Sequence, residues 1–128
     1  MKGKRFINQI GMGVDQHGHN DDCTNAAMKA IKNAISNNCL CGLVEVCGLK
    51  EPQELLSMKV EIKIGAPYPD NINEKKVLKA IPFGEKSIEV VKGGLLAEGI
   101  QISELGDTSD KMIVCNAAVT VYIPKEKD

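Results

Sequence analysis

Apolar and charged residues alternate most regularly in residues 58–64, where charged side chains separate Val60, Ile62 and Ile64. A period of two is typical of a strand with one face on a core and the other in solvent or against a polar partner, which favours antiparallel pairing. Residues 112–123 form the most continuous apolar run and are rich in β-branched side chains. We predict this run to be the central strand of the sheet.

Two segments carry a helical pattern instead. Residues 24–37 place their apolar side chains on one stripe, and Asp22 stands where it can cap the free amides of the first turn. A second helix is predicted for residues 74–81, capped by Asn73 and closed by Pro82.

The remaining segments are shorter or less regular. We predict three further strands, at residues 4–10 (ended by Gly11), 40–49 and 86–91. Glu51-Pro52 marks a turn or a one-turn helix. Residues 93–110 contain several glycines without a firm period and are predicted to form a long loop.

Two parts of the chain share a sequence pattern. Ile10-Gly11 and Ile64-Gly65 are each followed by a polar loop, an asparagine and a predicted helix. The order of elements predicts one α+β domain over residues 1–128. We expect a two-layer sandwich of ferredoxin-like or related split βαβ units, with a mainly antiparallel sheet and its helices on one face.

Composition narrows the class of protein. Hydrophobic residues make up 43% of the chain and charged residues 26%, as in ordinary globular proteins. The net charge of -1, without a basic patch, argues against nucleic acid or anionic membranes as partners. No apolar run approaches the roughly 18 to 20 residues of a membrane span. The basic start is followed by too short an apolar run for a signal peptide, so we expect a cytoplasmic protein.

The five cysteines form no convincing site. Their number is odd and their spacing lacks the pairing of a secreted scaffold, so we expect reduced thiols. Cys39-x-Cys41 with Cys23 or Cys47 is a weaker candidate for a thiolate site, because CxC differs from the usual CxxC geometry. Cys115, inside the predicted last strand, is expected to be a core residue.

The densest chemistry lies in residues 11–22, which hold both histidines of the chain and three aspartates. A purely structural loop needs turn-forming residues but has no need of two imidazoles. We therefore predict the functional site here.

Within this loop, Gly11-x-Gly13-x-Asp15-x-His17-Gly18 resembles the hallmark motif of a small conserved-hypothetical family of scattered bacteria and plants. The resemblance implies that these five residues act together. It implies no activity, since none is assigned to that family. His19 lies outside the motif.

Two chemistries are open for the loop. In the preferred one, which is metal-free, Asp15 orients His17 for proton transfer or itself binds a ligand, while Gly11 and Gly13 let the ligand approach the backbone. In the other, Asp15, His17 and His19 ligate a divalent metal such as Zn or Fe(II).

A third possibility, a phosphate cradle, fits poorly. Gln16 replaces the third glycine of a dinucleotide fingerprint, and Asp21 and Asp22 would repel a phosphate at the helix start.

The sequence thus predicts a small-molecule enzyme or ligand-binding protein with Asp15 and His17 as catalytic residues. Gly11, Gly13, Gly18 and Asn116 are its candidate ligand contacts. One alternative is a non-catalytic, oligomeric sensor or assembly module, and homo-oligomers are expected in either case. Another is a metal-dependent or amide-hydrolase-like enzyme, since the βαβ units are similar to those of ring-opening amide hydrolases, although no serine and lysine pair of the required kind is found.

Overall fold

The computed structural model describes residues 3–17, 21–107 and 109–124. Within these residues the five strands are β1 (Arg5–Asp15), β2 (Lys59–Ala66), β3 (Glu85–Lys92), β4 (Leu95–Glu98) and β5 (Lys111–Tyr122). The α-helices are α1 (Thr24–Ser36), α2 (Cys41–Glu45), α3 (Pro52–Leu56) and α4 (Glu74–Leu78). A 3-10 helix, Ser103–Leu105, precedes β5.

One mixed and mostly antiparallel sheet joins all five strands. β5 pairs antiparallel with β1 along one side and with β2 and β4 along the other, and β3 pairs parallel with β2. Because β1 and β2 are both antiparallel to β5, they run parallel to each other with β5 between them. The predictions of an α+β fold and of a central last strand are confirmed, whereas the two-layer ferredoxin-like arrangement and the single domain stay predictions.

The sheet buries one face. The alternate residues Val60, Ile62 and Ile64 of β2 are at most 2% exposed, and the odd-numbered residues of β5 from Ile113 to Val121 are buried with them. α1 and α4 pack against this face and contribute Ile31 and Val77, among others, to the main core cluster.

α1 lies unusually close to β1. A Cβ atom at Gly11 would stand 2.3 Å from the Ala34 nitrogen, and one at Gly13 would stand 2.3 Å from the Ala26 oxygen. Ala30, between these two alanines, is fully buried. Both glycines are therefore required by backbone contact between the helix and the strand.

Side chains of α1 also cover the outer edge of β1. Asn33 Oδ1 accepts a hydrogen bond from the Met12 main-chain N–H at 3.0 Å, and Lys29 Nζ donates to the Val14 carbonyl at 3.0 Å. A sheet edge with open hydrogen-bonding groups invites pairing with another chain. These two bonds remove two of those groups.

Three sequence predictions are wrong in their elements. The strand β1 does not end at Gly11 but continues to Asp15. A glycine inside a strand can make room for a packed helix, so it need not end the strand. Residues 40–49 contain the helix α2 instead of the predicted strand. Its hydrogen bonds are local, such as the one from the Val46 N–H to the Gly42 O. Residues 93–110 contain β4 and the 3-10 helix.

The other elements agree with their predictions. α3 is the one-turn helix expected near Pro52, and the bounds of α1, β2 and β3 differ from those predicted by only one or two residues. α4 ends three residues before the predicted end. Within the described residues, no helix is long and apolar enough to cross a membrane.

Candidate functional site

The turn that follows β1 is held by Asp15. Its Oδ1 accepts a hydrogen bond from the His17 main-chain N–H at 3.3 Å, an arrangement by which a short acidic side chain fixes the backbone two residues on. Asp15 thus contacts the backbone of His17 and not its ring.

The His17 ring is paired with a carboxylate from the other end of the chain. His17 Nδ1 lies 2.7 Å from Asp107 Oδ2. The Asp107 side chain is fully buried, whereas that of His17 is 32% exposed. The pair therefore places an anchored carboxylate behind an imidazole that solvent can reach.

The backbone around Asp107 fixes its direction. The 3-10 helix ends at Gly106, which has a left-handed φ of 84° and donates its N–H to Ser103 O at 3.0 Å. Asp107 Oδ2 also accepts the Ile102 N–H at 2.7 Å. A left-handed residue after the 3-10 helix turns the chain back, so that the carboxylate bonds both Ile102 and the ring.

This geometry sets the chemistry of the ring. An ionised carboxylate only accepts hydrogen bonds, so the Nδ1 of a neutral imidazole carries the proton and Nε2 keeps its lone pair. Nε2 makes no hydrogen bond to any of the described residues. Such a ring can accept a proton or a hydrogen bond from a ligand.

The start of α1 lies in the same region and is tied to the loop before α4. Asp22 Oδ1 accepts the Thr24 N–H at 2.9 Å and so satisfies one free amide, but the N-cap of α1 is Cys23, which makes no side-chain capping bond. Thr24 Oγ1 accepts the Asn73 N–H at 2.9 Å, and the Cys23 N–H donates to Asn71 O at 2.9 Å. These bonds fix the position of the helix relative to this loop.

Two buried thiols lie beneath the site. Burial, together with the neighbouring Cys23 thiol, raises the pKa of Cys115 to about 12, and burial raises the pKa of Cys23 as well. Both groups therefore stay protonated at neutral pH and are poor nucleophiles or metal ligands. Cys115 is 0% exposed, as the core prediction requires.

The candidate metal set is only partly described. Asp15 and His17 lie next to each other, but His19 falls outside the described residues. Among those that are described, no group of three or more histidine, cysteine and acidic side chains is placed to hold a metal ion. A metal on Asp15, His17 and His19 stays a prediction.

Among the described residues, the predicted ligand contacts do not converge on His17. Gly11 and Gly13 face α1, and Gly18 lies outside the described residues. Asn116 pairs with Met12 on the opposite face of the sheet from Gly13 and Asp15, where it lines a depression of about 300 Å³. Helix packing accounts for both glycines, and a contribution of either to ligand binding stays a prediction.

Sequence reasoning missed Asp107, the residue that orients the ring. It lies in the stretch predicted as a loop, 90 positions from His17. Its one local signal is the preceding Gly106, which can adopt the left-handed conformation. No periodicity connects the two residues, since only the fold brings them together.

Comparison with known proteins places the chain in a family. Residues 5–121 match the model of a family described as "Conserved hypothetical protein (Lin0512_fam)". The chain belongs to this family. The resemblance noted from the sequence is thereby confirmed at family level, while the role of the glycine, aspartate and histidine motif in the Lin0512 family stays a prediction.

A solved structure resembles this Lin0512 family member closely. It is the crystal structure of an FtsZ-like protein of unknown function from Nostoc punctiforme, with 42% sequence identity and a TM-score of 0.83. The match covers 98% of this chain and 100% of that one. The search of curated proteins found no match.

Proposed function

We propose that this protein is a small-molecule enzyme or ligand-binding protein in which His17 Nε2 accepts a proton or a hydrogen bond from the ligand. Asp107 orients the ring, and Asp15 shapes the turn that presents it. The proposal rests on the 2.7 Å contact between a fully buried carboxylate and a partly exposed imidazole.

The burial of Asp107 supports a role beyond bracing the loop. Removing a carboxylate from water is costly unless hydrogen bonds compensate, and here the Ile102 N–H and the imidazole supply them. A neutral side chain would brace the same loop at a lower desolvation cost. A carboxylate adds the ability to stabilise an imidazolium, which acid-base chemistry uses.

The test combines two substitutions with a ligand screen. Protein without a histidine tag is screened by thermal shift against amides, carboxylates and phosphates, and separately with Zn²⁺. We expect a compound that raises the melting temperature of the wild type and no longer does so for His17→Gln. For Asp107→Asn the apparent Kd should weaken by about tenfold, the loss of a hydrogen bond to a charged group.

Glu45→Gln is the matched control, because Glu45 is an exposed carboxylate on α2, outside the region of the pair. Its ligand response should equal that of the wild type. Equal responses of the wild type and His17→Gln to every compound that binds would contradict the proposal. A response to Zn²⁺ alone that His17→Gln abolishes would favour the metal alternative.

A second candidate, an oligomeric assembly module, is favoured by the uncovered face of the sheet. In the two-layer arrangement that we propose, the helices cover one face and leave Ile10, Met12 and Leu95 on the other, with 69%, 61% and 59% of their areas exposed. Exposed apolar side chains clustered on one surface mark contact sites. The description of the structural neighbour as FtsZ-like belongs to that protein and names no partner for this one.

Analytical ultracentrifugation separates the two candidates. If assembly through this face is the function, the wild type sediments as an oligomer, Met12→Glu dissociates it, and His17→Gln leaves its mass unchanged. A monomeric wild type at micromolar concentration would exclude a stable assembly module.

A further inference from the structure

A second cavity lies at the other end of α1 from His17. It is a cleft of about 450 Å³ between the end of α1, the helices α2 and α3, and the buried face of the sheet. We refer to it as the Gln9 cleft, after the polar residue in its wall. None of the described residues that line it is charged.

The Gln9 cleft separates two hydrophobic clusters. Ile81 and Val119 on its wall belong to the main core, whereas Leu43 and Val121 belong to a smaller cluster that also contains Met58. The core of a small domain is usually contiguous, because apolar surfaces that face a gap lose packing contacts. An apolar molecule in the cleft would join the two clusters.

Gln9 is the buried polar group of this cleft. It is 5% exposed, and its Oε1 accepts a hydrogen bond from Asn38 Nδ2 at 2.8 Å. Asn38 Nδ2 also donates to the Ala34 carbonyl at 3.2 Å. Since that carbonyl can only accept, the Asn38 atom facing both groups is the nitrogen, and the Gln9 atom facing Asn38 is the oxygen.

This orientation leaves the Gln9 amide nitrogen as a donor at the cleft. Gln9 Nε2 donates to none of the described residues. This nitrogen is not one of the buried side-chain atoms that lack a partner, so it stays accessible to water in the cleft, and an acceptor oxygen of a ligand can replace that water. The amide is therefore suited to an acceptor oxygen that enters the cleft.

We propose that the Gln9 cleft binds a neutral, largely apolar small molecule whose carbonyl oxygen accepts a hydrogen bond from Gln9 Nε2. The volume lies in the range of small-molecule sites, which are mostly apolar with a few placed polar groups. A carboxylate or phosphate would lose its hydration without meeting a cation among the described lining residues, so we expect a neutral ligand. Exposed Cys39 and Cys41 lie at the rim, where a ligand enters from solvent.

This site is independent of the function proposed above. The 13 residues of α1 span about 20 Å at 1.5 Å a residue, and the Gln9 cleft and His17 lie near opposite ends of that helix. A ligand in the cleft therefore does not touch the His17 ring.

Three naphthalene probes test the ligand class. Acetylnaphthalene carries a carbonyl, ethylnaphthalene lacks it, and naphthoate is charged. Titrations followed by amide and methyl NMR should show acetylnaphthalene shifting Leu43, Val119 and the Gln9 side-chain amide. Ethylnaphthalene should bind the same residues with a Kd about three to ten times weaker, the effect of one hydrogen bond, and naphthoate should leave them unshifted.

Three variants locate the binding. Gln9→Leu should abolish the preference for the ketone over the hydrocarbon while both still bind. Cys41→Trp, a change at an exposed rim position, should block both probes. Val46→Trp is the matched control in the same connection, since Val46 is 84% exposed and does not line the cleft, and its affinities should equal those of the wild type.

Three other results would overturn the proposal. In the first, the NMR signals of the wild-type lining residues do not shift with acetylnaphthalene. In the second, the ketone and the hydrocarbon bind with equal affinity. In the third, naphthoate binds more tightly than the two neutral probes. The comparison of the three probes uses the wild type alone, so it does not depend on whether a variant folds. His17→Gln should bind acetylnaphthalene as the wild type does, so the loss of the His17 proposal would leave this one standing.

Discussion

The units β1–α1 and β2–α4 each contain an Ile-Gly pair within the strand but bury opposite members of it. In β1, Ile10 is 69% exposed and Gly11 is buried under α1. In β2, Ile64 is fully buried, and Gly65 turns to the opposite face of the sheet, where the Asn116 side chain lies over it. Because successive side chains of a strand point to opposite faces, a shift of one residue exchanges them.

The closeness of a helix backbone to the strand explains the difference. α1 presents small residues such as Ala26, Ala30 and Ala34, so its backbone approaches β1 closely enough to require glycine below it. α4 is a five-residue helix that buries only Val77, and it lies mainly against α1 and β3, so no helix backbone approaches β2 as α1 approaches β1, and β2 buries larger side chains. The same dipeptide therefore serves backbone contact in one unit and side-chain packing in the other.

The largest effect is expected from adding a methyl group under α1. For Gly13→Ala, the new Cβ would meet the Ala26 and Ala30 backbones, so we expect the free energy of unfolding to fall by about 3 kcal/mol or more. Urea denaturation measures the change. Gly65→Ala, whose Cβ meets the movable end of exposed Asn116, should lose less than about 1 kcal/mol. Similar losses for the two variants would refute the assignment of faces.

The isoleucines provide the converse test. Ile64→Ala removes a fully buried side chain and should cost about 3 kcal/mol, within the usual range for such truncations. Ile10→Ala should cost less than about 0.5 kcal/mol, because Ile10 is mostly exposed. Chemical denaturation of both variants measures the loss in the free energy of unfolding. A larger loss for Ile10→Ala than for Ile64→Ala would contradict the assignment of the buried residue in each pair.

Alkaline pH tests whether the α1 side is sealed from water. Cys115 pairs with Gly13, and burial raises its pKa from 9.0 to about 12, so the unfolded chain loses the thiol proton first. The contribution of this thiol to the free energy of unfolding is fully present below pH 9. As the pH rises towards 12, that contribution falls by about 1.4 kcal/mol for each pH unit. Cys115→Ala should flatten this slope, although the raised pKa of Cys23 adds a loss of the same sign.

Cys39→Ala is the control for that experiment, because Cys39 is exposed. Its stability should fall with pH as steeply as that of the wild type. Equal slopes for Cys115→Ala and the wild type would show that water reaches the thiol beneath α1.

The smallest effect concerns the edge of β1. Asn33→Ala removes the acceptor for the Met12 N–H and should cost about 1 kcal/mol. Hydrogen exchange at the Met12 amide should accelerate in this variant. Lys32→Ala, at an exposed neighbouring position, should change neither quantity. Unchanged exchange at Met12 in Asn33→Ala would mean that the edge is protected by other contacts.

Predictions from the sequence succeeded where one element carried its own signal. The alternation in β2 and the apolar stripe of α1 each identified an element, because burial repeats with the period of the backbone. α2 was mistaken for a strand, since a short run that includes Leu43 and Val44 fits either structure. The site was predicted on Asp15 and His17, but the ring partner Asp107 could not be, because its contact depends on chain closure over 90 residues.

By itself, the sequence determined which residues alternate, where α1 begins, and that acidic and imidazole groups cluster after the first strand. These are local properties, fixed by side-chain spacing and capping within a few residues. The tertiary structure alone decided that Gly11 and Gly13 lie under a helix, that Asp107 binds His17, and that Gln9 borders an apolar cleft. Such contacts join distant parts of the chain, so they depend on how closely the helices approach the sheet and on which strands are neighbours.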